Sequence, residues 1–178
     1  MKKYPYHDFI DKLKQVYSKQ PFPDDAEYRA CVRSIEYESF ASPAVEFCEY
    51  VYTRKLNWFD CSWEHDILPL EEDTTILPYY IFSTPFLRYY FPMCLNISIR
   101  YFFGAYYWRN EHIGSEENVG NIDAFVIYTL KSIIKHADQL ELKEKELISE
   151  LSLLIRDNNF YNYEEEHLAL CNALKTNS

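Results

Sequence analysis

Cys61-x-x-x-His65, with Glu64 and Asp66 adjoining, is the best candidate in this sequence for a close pair of metal ligands. A structural zinc site takes about four such ligands, commonly as two close pairs, and no second pair accompanies this one. The expectation is no metal and no cofactor, with Trp63 packed inward and Glu64, His65 and Asp66 in solvent. A Cys–His nucleophile would need a thiol kept ionised by a neighbouring cation. The five cysteines, Cys31, Cys48, Cys61, Cys94 and Cys171, fall mostly in apolar periodic segments without basic or glycine-rich neighbours. No catalytic residue is assigned, and an odd, widely spaced set of cysteines suits buried free thiols in a reducing compartment.

Carboxylates are too plentiful to single out an acid/base pair: Glu71-Glu72-Asp73, Glu116-Glu117 and Glu164-Glu165-Glu166 all qualify. Gly104, Gly114 and Gly120, the three glycines, stand in no phosphate-cradling pattern. The net charge of −10 repels nucleic-acid backbones and anionic lipid and attracts basic partners. Glu71, Glu72 and Asp73 on one surface with Glu116 and Glu117, flanked by Tyr107 and Trp108, would supply the charge and the aromatic anchors of a site for a basic protein. A merely solubilising acidic surface is the plainer account of the same residues. The other candidate is Arg88 beside Tyr89 and Tyr90, with Arg100 and Arg109 further on, a basic patch suited to a small anion or other ligand.

Helices must position these groups, because three glycines are too few for a many-stranded barrel and apolar residues recur at helical spacing. Phe9, Leu13, Val16 and Tyr17 define a first helix ended by Pro21 and Pro23; Tyr28, Cys31, Val32 and Ile35 define a second behind Asp24-Asp25. Ser42-Pro43 opens a third reaching about Lys55, striped by Val45, Cys48, Tyr52 and Leu56. From Asn57 to Thr75 the period is lost, and the expectation is an ordered connection with one short helix, pinned by Trp58 and Trp63. Ser83-Thr84-Pro85 opens a central helix to about Phe103, apolar on all sides and kinked where Pro92 deprives the Arg88 carbonyl of its amide. Gly104 to Asn118 reads as an exposed loop. Asn121 caps a helix to Ala137, which is expected to pair antiparallel with one through Leu147, Leu151 and Ile155 before a terminal helix around Leu170 and Leu174.

The run Ser83-Thr84-Pro85-Phe86-Leu87-Arg88-Tyr89-Tyr90-Phe91-Pro92 resembles the Ser/Thr-Pro-x-x-x-Arg-Tyr-Tyr-Leu-Pro signature of an uncharacterised bacterial helical family, domain of unknown function 6714. The likeness covers roughly Val45 to Ile134, with Phe91 in place of the usual Leu, and Tyr106-Tyr107-Trp108 where smaller residues are expected. It implies a helical fold and no known reaction. Small helical proteins of this kind are often immunity or antitoxin partners, an analogy of fold.

At 178 residues the chain fits one domain, 1–178, read as an all-α bundle of six or seven helices. The start MKKYPYHDFIDKLKQ lacks the apolar run of an export signal, and charged residues and prolines interrupt the apolar stretch from Thr74 to Trp108, so a cytoplasmic location is expected. The leading expectation is a non-enzymatic immunity or antitoxin-type protein occluding a basic toxin or effector domain. The alternatives are a small enzyme or ligand-binding protein using Arg88, Tyr89 and Tyr90, and an oligomeric structural protein, for instance a homodimer.

Overall fold

A computed structural model describes residues 5–35, 42–70, 75–103, 116–157 and 163–175. Within them the chain is all-α, with no strand. In order, the α-helices are α1 (Pro5–Tyr17), α2 (Asp25–Ile35), α3 (Ser42–Arg54), α4 (Leu77–Tyr80), α5 (Pro85–Arg88), α6 (Phe91–Phe102), α7 (Glu116–Lys135), α8 (Leu142–Asp157) and α9 (Glu164–Lys175). A single π-helical turn, Trp63–Ile67, is the short helix expected between α3 and α4. No described helix is long and apolar enough to cross a membrane.

Local chemistry sets the ends of these helices. Asp24 Oδ1 accepts from the Glu27 amide at 2.8 Å while Glu27 Oε2 accepts from the Asp24 amide at 3.0 Å, a reciprocal cap that starts α2. At the end of α3, Lys55 adopts a left-handed φ of 53°. The Leu56 amide then reaches back to the Val51 carbonyl at 3.0 Å and the Lys55 amide to that of Tyr52 at 3.2 Å. This closes the helix as a glycine usually does, at about 1–2 kcal/mol of backbone strain.

α6 is the centre of the fold: every residue except Arg100 is buried. It packs on α1 and α7; α7 also packs on α4 and α9, α8 on α1 and α9, and α2 on α3 and α5. Trp58 and Trp63 are buried, as the sequence suggests, with Trp63 edge-on to Phe125 of α7 at 5.3 Å.

Three expectations need correction. The helix expected from Thr84 to Phe103 is broken rather than kinked. Thr84 caps α5, accepting from the Leu87 amide at 3.3 Å, but the Tyr90 amide turns back to Leu87 at 2.8 Å and Tyr90 takes φ −91°, ψ 3°. Pro92 thereby falls in the first turn of α6, where its missing amide leaves nothing unpaired. α7 already includes residues 116–120, so Asn121 lies inside the helix and does not cap it. Finally, α7 and α8 are not principal packing partners of each other, because α9 packs against both.

Candidate functional site

Glu71, Glu72, Asp73, Tyr107, Trp108 and Arg109 lie outside the described residues, and Glu116 and Glu117 lie within α7 rather than in a loop. Arg88, Tyr89 and Tyr90 are described and adjacent, at the break between α5 and α6. Both tyrosine hydroxyls turn to the protein's own groups. The Tyr90 hydroxyl donates to the Leu56 carbonyl at 2.8 Å, and the Tyr89 hydroxyl to Asn57 Oδ1 at 3.0 Å. Burial pushes both phenols up. Arg100 donates through Nε to Asn96 Oδ1 at 3.0 Å.

Arg88 Nη2 donates to both Glu144 carboxylate oxygens at 2.6 Å, and its guanidinium lies 4.6 Å from the Phe82 ring centre and 4.4 Å from that of Phe91. Glu144, only 5% exposed, also accepts the Tyr17 hydroxyl at 2.6 Å and the Glu141 amide at 2.9 Å. Burial first, and then the Glu144 charge, pushes the Tyr17 phenol far up. One carboxylate therefore ties α1, α5 and the first turn of α8 together. A charge this deep is tolerated because it is paired and its oxygens are hydrogen-bonded.

The donor set around Cys61 is dispersed. Its thiol donates to the Asn57 carbonyl at 3.5 Å, while Asp66, expected in solvent, is instead buried and accepts from the Ser62 amide at 2.7 Å and the Tyr50 hydroxyl at 3.1 Å. Burial, with Asp66 and Asp60 nearby, pushes the Cys61 thiol up. Among the described residues, no three His, Cys, Asp or Glu side chains gather as a metal site.

The structure also assembles a surface that the sequence reading passed over. On α2 and α3 the half-buried rings of Tyr28 and Tyr52 stack with centres 4.0 Å apart and planes 2° from parallel. The Tyr52 hydroxyl donates to Asp25 Oδ1 at 2.9 Å, and that carboxylate pushes its phenol up. Tyr28 is pushed up by partial burial and then by the charge of Glu49. The Lys55 ammonium sits 3.7 Å from the Tyr52 ring centre.

The same pairing recurs elsewhere. Arg54 lies 4.0 Å over Tyr50, Lys14 4.0 Å over Phe59 and Lys135 4.9 Å over Tyr79. Phe59 and Tyr79 are 39% and 52% exposed. Accessible rings in this acidic protein thus act as receptors for cations.

Compared with family models, curated proteins and solved structures, the chain matches none.

Proposed function

We propose that this chain is a non-enzymatic binding protein of the immunity or antitoxin type, which occludes a basic toxin or effector domain. The observation that supports it best is that Tyr50, Tyr52, Phe59 and Tyr79, all partly accessible, each hold one of the chain's own lysines or arginines. A partner's basic side chains could occupy such rings in their place, drawn in by the net charge of −10. Occlusion would then be steric and electrostatic, with aromatic anchors supplying affinity and the acidic field supplying rate. The likeness of the 83–92 run to an uncharacterised helical family fits this reading in fold and adds no reaction.

The test is capture by the tagged chain from a lysate of its own cells, at about 0.01 M and about 1 M salt, between which the screening length falls from about 30 Å to about 3 Å. A stoichiometric basic protein that is retained at low salt and lost at high salt is expected. Tyr52→Ala combined with Phe59→Ala should weaken its capture while helical circular dichroism is unchanged. Recovery of no basic protein at low salt would refute the reading.

A ligand-binding alternative has one observation in its favour. Arg88 Nη1 is buried with no hydrogen-bond partner among the described residues. A small anion copurifying with the wild type and absent from Arg88→Met would support it.

A further inference from the structure

On α9, His167 and Cys171 project to the same side of the helix, and both reach Ser152 on α8. Ser152 Oγ lies 2.9 Å from His167 Nδ1 and 3.3 Å from Cys171 Sγ, and Cys171 Sγ lies 3.8 Å from His167 Nε2. The three side chains close a ring of hydrogen bonds. Ser152 is 2% exposed, whereas His167 and Cys171 are half-buried, so the back of the ring is fixed and its front is accessible. Cys171 also differs from Cys31, Cys48, Cys61 and Cys94, which are buried.

The bonding pattern survives movement of a proton. With a neutral thiol, Sγ–H donates to Nε2, Nδ1–H donates to Ser152 Oγ, and the serine hydroxyl donates to sulfur. Moving the thiol proton onto Nε2 reverses only the first of these. The resulting thiolate accepts from both the imidazolium and the serine, and no polar atom of the three loses its partner. A nucleophile touching a base that a third group orients is the arrangement that activates cysteine.

We propose that Cys171 is the reactive thiol of this protein, a covalent modification site for soft alkylating electrophiles, with His167 as its base and Ser152 as the positioning residue. In the step itself the Cys171 sulfur attacks an electrophilic carbon, the carbon–sulfur bond forms as the carbon–halogen bond breaks, and the halide leaves with the bonding electrons. The thiol proton stays on His167 Nε2. The site, on α8 and α9, is separate from the rings of Tyr50, Tyr52, Phe59 and Tyr79 on which the proposed function rests.

The test uses iodoacetamide on the whole folded chain at neutral pH, with peptide mapping to follow each cysteine. The unfolded chain in urea supplies the reference rate for the same sulfur. Cys171 is expected to react about tenfold faster folded than unfolded, despite partial burial, and ahead of the other four cysteines. His167→Gln should bring its folded rate to or below the unfolded one, and Ser152→Ala should give an intermediate rate, each with unchanged helical circular dichroism. A wild-type Cys171 that reacts no faster folded than unfolded would overturn the proposal, as would a His167→Gln variant that keeps the wild-type rate. Should His167→Gln unfold, the wild-type comparison still decides.

Discussion

Cys31 of α2 and Cys48 of α3 face each other with sulfurs 3.6 Å apart, both fully buried, and the Thr84 hydroxyl donates to Cys31 Sγ at 3.1 Å. Cys48 holds its proton against Cys31 and its thiol is pushed up, while that hydrogen bond brings the Cys31 thiol down in spite of burial. Mild oxidation with diamide is therefore expected to close one disulfide, Cys31–Cys48. It would bridge residues 17 apart and stabilise the chain by up to about 3 kcal/mol. Peptide mapping and the urea midpoint check this; a disulfide between any other two cysteines would count against it.

Removing the guanidinium that pairs with Glu144 should be among the most damaging single changes. Arg88→Ala is expected to cost about 3–5 kcal/mol, because the carboxylate stays behind, buried and short of a partner. The double variant Arg88→Met with Glu144→Gln should recover a large part of that loss. Tyr17→Phe should cost about 1.5–3 kcal/mol through one lost hydrogen bond to a charged group. Urea unfolding of the four proteins measures all three statements.

His136 lies flat on Phe82, ring centres 5.0 Å apart and planes 13° from parallel, and burial followed by the Lys135 charge holds its imidazole below the ordinary 6.5. Its folded-state value is depressed. Below that ordinary value the unfolded chain takes up a proton that the folded chain does not, so stability falls with pH until the folded imidazole is protonated too. His136→Phe keeps an aromatic ring at that position and removes the titration. Its urea midpoint should fall less than that of the wild type between about pH 7 and about pH 5.

Lys55 carries the strain of a left-handed backbone and returns a cation–ring contact to Tyr52. Lys55→Gly relieves the first and loses the second, whereas Lys55→Ala keeps the strain and loses the contact. Glycine should therefore be the more stable replacement by about 1 kcal/mol, the reverse of their order inside a helix. Thermal unfolding of the two variants distinguishes them.

The helices were legible because burial enforces their period: Phe9 and Leu13 are fully buried where the spacing places them, and α6 is surrounded by protein as its uniform apolarity requires. Thr84-Pro85 also gave its cap correctly. Pro92 misled, since a proline reads as a kink in a continuing helix or as the first turn of a new one, and only the backbone at Tyr90 decides between them. Packing order was less legible, because the apolar stripes of α7 and α8 do not say which helix covers them. Arg88 and Glu144 stand 56 positions apart, so no local pattern announces their pairing. His167-x-x-x-Cys171, by contrast, was open to reading, since that spacing puts two side chains on one face of a helix. Tyr28 and Tyr52 looked like parts of two buried stripes, and nothing in the sequence marks that they meet as a half-buried stack.

The placement of α9 against both α7 and α8 bears on how the chain is made. A ribosome that has just released α8 has produced two amphipathic helices whose shared neighbour does not yet exist. That side of the molecule can close only after synthesis has passed α9, so the emerging chain offers chaperones an unfinished apolar surface during that interval.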